Sequence, residues 1–146
     1  MRAIHLLAGL GLLASVAPTS AETVNRLAEN QVPVALVQIE RGPVYTEVRL
    51  QTRAALARVC WYADGPNSPY LLADAQRFRF LGGDNIVNCP ASRNYAAGDV
   101  MVLRFAPLPP GMHDVSLVEG QGGENQMINP ESSHTRFWNF LHVALH

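Results

Sequence analysis

The residues best suited to acid–base chemistry lie after position 110. Asp114 and Glu119 sit in "HDVSLVEG", Glu124 follows in a polar stretch, and Ser132, Ser133 and His134 are contiguous. Glu119 with Asp114 or Glu124 would supply the two carboxylates of a glycoside hydrolase. Ser132 or Ser133 with His134 and Asp114 would supply a nucleophile, a base and an orienting acid. Spacing specifies neither set. Twelve acidic residues make pairs a matter of chance, and adjacent polar residues in a loop fix no geometry. The GxSxG elbow, the HExxH helix, the phosphate-binding glycine loop closed by lysine and the dinucleotide fingerprint are all missing. Every basic residue is arginine, which removes lysine nucleophiles and Schiff bases. The expectation is a non-enzymatic protein without a cofactor; a small hydrolase with Glu119 as general acid is an alternative.

Metal chemistry has a separate set of candidates. Met112, His113, Met127 and His134 combine thioether and imidazole, ligands suited to copper in an oxidising compartment, although no tight ligand spacing supports a site. A periplasmic copper-binding protein is therefore a further alternative. Aromatic rings offer a binding chemistry instead. Trp61, Tyr62 and Tyr70 bracket "ADGPNSP", where an exposed ring can stack on a sugar or grip a peptide. Trp61, next to a cysteine, is expected in the core, and the candidate ligand or partner contacts are Tyr62, Tyr70, Glu119 and Glu124.

The first residues bear on where this chemistry would take place. "MRAIHLLAGLGLLASVAPTSA" has a basic start at Arg2, an apolar run from Ile4 to Val16, and Thr19 and Ala21 at the positions that signal peptidase reads. Residues 1–21 read as a cleaved export signal, residues 22–33 as a linker and residues 34–146 as one domain. The apolar run is too short to be retained as a membrane helix, so no transmembrane segment is expected in the mature chain, and the location is periplasmic or secreted. Cys60 and Cys89 are the only cysteines, and an even count in an exported chain reads as a disulfide. Loss of Arg2 with the leader leaves ten basic residues against twelve acidic ones, a net charge of −2. With no basic stripe, nucleic acid is not an expected partner.

Almost everything between these residues is patterned for strands. "VALVQIE" ends at "RGP", a natural hairpin turn into "VYTEVRLQT". There Val44, Thr46, Val48 and Leu50 alternate with Tyr45, Glu47, Arg49 and Gln51, as in a half-buried strand. "RFRFL" sends Phe78 and Phe80 one way and Arg77 and Arg79 the other, and "GGDN" is expected to break the chain after it. "DVMVLRF" aligns Met101, Leu103 and Phe105. "FWNFLHVAL" is apolar on both faces and therefore reads as a central strand, with His142 and His146 on the face of Trp138. Glu119 shares the parity of Val115 and Leu117 but ends its strand. It reads as a terminator whose carboxylate reaches solvent, an arginine or the amides of the glycine-rich loop that follows, residues 120–136. About seven short strands with no long amphipathic helix predict an all-β, antiparallel sandwich of immunoglobulin-like type, with a small barrel as the alternative.

The last third also carries a recognisable series, "LRFAPLPPG", then "DVSLVEG", then "WNFLHVAL". From Val100 to Leu145 it resembles the closing strands of small immunoglobulin-like β-sandwich modules in exported bacterial proteins of uncharacterised function. The resemblance implies a sandwich fold and an envelope location, and it carries over no catalytic residue. The expected role is a binding or assembly module of the bacterial envelope with a protein or glycan partner.

Overall fold

The computed structural model describes residues 33–119 and 138–146. The residues read as leader, nearly all of those read as linker, and the glycine-rich stretch 120–136 fall outside the described residues, and with them Glu124, Met127, Ser132, Ser133 and His134. The described residues form an all-β, antiparallel structure without a helix. Nine strands follow one another: β1 (Val34–Arg41), β2 (Thr46–Thr52), β3 (Leu56–Val59), β4 (Tyr70–Ala73), β5 (Gln76–Asp84), β6 (Arg93–Tyr95), β7 (Val100–Phe105), β8 (Asp114–Val118) and β9 (Phe140–Ala144). Seven are hydrogen-bonded in the order β1-β2-β7-β5-β4-β8-β9, and β3 and β6 make a separate ribbon. Among the described residues, none lies in a helix long and apolar enough to cross a membrane.

One strand gives the sheet its sandwich-like fold. β5 pairs with β4 through Gln76–Arg79 and with β7 through Phe80–Asp84, with a register shift between Phe80 and Gly82. An inserted residue bends a strand and increases its twist, so β5 forms the corner where the sheet turns over. The two halves then close on one core. Val34 and Leu50 from one end share a cluster with Val143 and Leu145 from the other, and Phe80 meets Phe105 at 5.6 Å between ring centroids. Each large apolar side chain so buried contributes about 1.5–3 kcal/mol.

Local sequence accounts for several elements directly. Asp74 and Ala75 both have positive φ (48° and 62°), the conformation of the tight turn that joins β4 to β5. Phe78, Phe80, Met101, Leu103 and Phe105 are buried on the expected parity. Cys60 and Cys89 are bonded, with Cα atoms 5.0 Å apart. The bridge staples two neighbouring segments in which the Trp61 amide donates to Val87 O and the Cys89 amide to Trp61 O, each at 2.9 Å. Trp61 is in the core as expected, packed edge-on against Trp138 with centroids 5.5 Å apart.

Four expectations are corrected. Val44 does not share the buried face of β2; it sits in the turn before the strand and is 71% exposed. Gly82 and Gly83 do not break the chain, because β5 runs through both. A Cβ on Gly83 would lie 1.8 Å from Val102 O, so this position requires glycine for close backbone approach. The final strand is at the edge of the order, not its centre. It is apolar because a register shift opposite Val115–Leu117 and a positive φ at His142 (54°) switch its parity. Phe140 is then buried on one side of the bulge and Val143 and Leu145 on the other, while His142 is turned out to solvent, away from the buried Trp138.

Candidate functional site

Val44 and Tyr45, two of the exposed large apolar side chains among the described residues, lie together at one end of the fold, where the β1–β2 hairpin meets the loop from β7 to β8. The turn is tight: the Gly42 amide donates to Tyr45 O at 2.9 Å, and a Cβ on Gly42 would meet that oxygen at 2.9 Å. Pro43, Val44 and Tyr45 project from it. The neighbouring "APLPPGM" segment alternates between anchors and exposed prolines. Leu108 and Met112 are buried in the core, whereas Pro107, Pro109 and Pro110 face solvent. Two hydrogen bonds fasten this loop to the hairpin. The Leu108 amide donates to the buried Thr46 Oγ1 at 2.9 Å, and the Arg41 guanidinium donates to Met112 O. Open depressions flank the hairpin tip. One of about 270 Å³ is lined by Glu40, Tyr45 and Glu47, and the other, of about 530 Å³, by Arg41, Pro43 and the three prolines.

Electrostatics hold Tyr45 in place. Glu47 is buried on the outward parity of β2 and is paired with Arg49 at 2.7 Å and Arg104 at 3.2 Å. Arg104 also forks onto both carboxylate oxygens of Asp84 and lies over the Tyr45 ring, 5.2 Å from its centroid. These bonds push the Arg104 guanidinium above its usual range and, with Arg104 donating, hold the Asp84 carboxyl below its own. The result is an aromatic, proline and valine surface on a neutralised rim. Pinned aromatic residues beside well-packed apolar positions are typical of protein contact surfaces.

The residues singled out by sequence are in different places. Tyr62 is half-buried. Tyr70 is half-buried too, with the Arg77 guanidinium 4.4 Å from its ring centroid. Glu119 does not reach solvent: it is 4% exposed. Its Oε2 accepts the Trp138 amide at 2.9 Å, and its own amide donates to Asn139 Oδ1 at 2.6 Å. This reciprocal pair joins the two described ends on either side of residues 120–137. Burial pushes the Glu119 carboxyl up to about 8, and the Trp138 amide offsets part of that shift. A buried carboxyl engaged by backbone is a structural clamp, in line with its reading as a terminator.

Of the metal candidates described, Met112 is packed in the core, while His113 is exposed with Nδ1 3.4 Å from Leu145 O. No group of three or more His, Cys, Asp or Glu side chains suited to a metal forms among the described residues. Asp114 pairs with His142 Nδ1 at 3.2 Å, and Ser116 Oγ accepts the backbone amide of His142 at 3.0 Å. That hydroxyl is buried and engaged by backbone, and the imidazole addresses the carboxylate. Sequence reasoning missed Val44, Tyr45 and the prolines because alternation assigned Val44 to the core; the "RGP" turn was the available signal. Comparison with known protein families, curated proteins and solved structures returned no match.

Proposed function

We propose that this chain is an exported, non-enzymatic binding or assembly module of the bacterial cell envelope, an immunoglobulin-like sandwich that docks a partner on the pole formed by Pro43, Val44, Tyr45 and the Pro107–Pro110 segment. The observation that carries the reading is that large apolar side chains are exposed there on backbone tied down by Thr46 and Arg41. Exposed apolar surface that is also rigid binds with little ordering cost. Export is supported by the three-part leader and by the Cys60–Cys89 bridge, a bond that persists in oxidising compartments. The immunoglobulin-like assignment rests on the antiparallel strand order and the C-terminal series of motifs.

The test is site-specific photo-crosslinking in intact cells, with the crosslinker at Val44 or Pro109 and, as a control, at Ala57 on the exposed ribbon. The expected result is one discrete adduct in the envelope fraction from the two pole positions and none from Ala57. Equal labelling from all three positions, or none from the pole, would overturn the proposal.

A further inference from the structure

Arg77 and Arg79 differ from the arginines around Glu47. They are two apart on β5 and share its exposed face, since Phe78 and Phe80 turn into the core. Residues two apart on one strand are about 6.7 Å apart. Strand register puts Tyr70 opposite Arg79 and Leu72 opposite Arg77. The Arg77 guanidinium lies over the Tyr70 ring at 4.4 Å, an arrangement that restrains a long side chain through cation–π attraction. Where Arg49 and Arg104 have Glu47 and Asp84 as partners, Arg77 and Arg79 make no ion pair among the described residues. The neighbouring acid, Asp74 in the β4–β5 turn, is exposed and forms no bridge to either. This face of the sheet therefore carries two uncompensated positive charges on one rigid strand.

A small depression adjoins Arg79. It measures about 210 Å³ and is lined by Ala63, Arg79, Phe80, Leu81, Gly82 and Asn88. Gly82 has φ 106°, and nothing lies within 4 Å of where its Cβ would be, so the backbone there borders open space. The Asn88 part of the lining is held by its backbone. Asn88 bridges Trp61 in parallel register, flanked by the Trp61–Val87 and Cys89–Trp61 hydrogen bonds and adjacent to the disulfide. Arg79 from β5, Asn88 from a stapled segment and a cavity of this size fit one compact group rather than a polymer. Two cations and an amide donor select for negative charge, and the planar fork matches carboxylate and phosphate oxygens.

We propose that Arg79, supported by Arg77 and Asn88, forms a binding site for a single oxyanionic group, a carboxylate or a phosphate, on the outer face of the β4–β5 hairpin. The site is separate from the Val44–Tyr45 pole and does not depend on it. The carboxylate or phosphate oxygens lie against the Arg79 fork, Arg77 adds a second charge held on Tyr70, and Asn88 donates from the lining of the depression.

The test is an amide NMR titration of the mature, disulfide-bonded protein with sodium phosphate and, separately, sodium glucuronate, at constant ionic strength maintained with sodium chloride. Saturable shifts confined to Arg79, Leu81, Gly82 and Asn88 are expected for at least one oxyanion, and the tighter of the two identifies the group as phosphate or carboxylate. Arg79→Gln should weaken that binding about tenfold or more, the scale of one charge-assisted contact. Arg79→Lys should recover part of it, and Arg58→Gln on the exposed ribbon should leave it unchanged. Shifts no larger than those from chloride alone, or binding undiminished in Arg79→Gln, would overturn the proposal. Both positions are exposed, so the variants should fold.

Discussion

Replacing Glu119 with glutamine isolates a large pH-dependent contribution to the stability of this fold. The Glu119 carboxyl is raised from 4.5 to about 8 by burial at the junction of β8 and the segment leading into β9. The folded state therefore binds a proton that the unfolded chain releases at lower pH. A group of this kind contributes stability that is fully present below 4.5 and is lost as pH rises through 8. Linkage between those two values predicts a loss of about 3 kcal/mol between pH 5 and pH 8. Glutamine retains a carbonyl oxygen for the Trp138 amide and carries no charge at any pH. The variant should match the parent near pH 5 and exceed it by about 3 kcal/mol at pH 8, because only the parent must bury a carboxylate there. The assay is urea-induced unfolding of both mature proteins at half-unit pH intervals, followed by tryptophan fluorescence. Trp61 and Trp138 are buried beside this site, so the signal reports directly on it. Subtracting one profile from the other cancels the histidines and exposed carboxyls common to both proteins. A difference that is flat from pH 5 to 8, or a parent that gains stability relative to the variant as pH rises, would refute the reasoning.

Two further substitutions probe the close contacts that shape the fold. Thr46→Val leaves the buried Leu108 amide without its acceptor and should cost about 1–3 kcal/mol. Hydrogen exchange at Leu108 should accelerate with it, and an unchanged exchange rate would separate the loop from this bond. Gly83→Ala places a Cβ against the backbone oxygen of Val102 and should destabilise by about 3 kcal/mol or more, since backbone on a paired strand cannot move aside; denaturant unfolding with a midpoint close to that of the parent would contradict the close approach of β5 and β7.

The sequence by itself determined the strand-rich character, the partnership of Cys60 with Cys89, the burial of Trp61, and the inward faces around Phe78–Phe80 and Met101–Phe105. Each follows from period-2 alternation or residue chemistry, signals contained within a few neighbouring positions. Tertiary structure decided what depends on an inserted residue or on a distant neighbour. The register shifts in β1–β2, β5–β7 and β8–β9 each reverse parity partway along a strand, and alternation has no means of marking where that happens. For that reason the last strand read as central when it is an edge, and His142 read as aligned with Trp138 when a bulge turns it outward. Glu119 is the clearest case. Its position at a strand end suggested solvent, but the Trp138 amide and the Asn139 side chain, about 20 residues further along, supply its hydrogen bonds, and it is buried. The pairing of unpaired arginines at positions 77 and 79 was legible as a pattern. Whether any carboxylate would reach them, and whether a cavity would open beside Arg79, was settled only when strand order sent Glu47 and Asp84 to Arg104 and the disulfide brought Asn88 alongside β5.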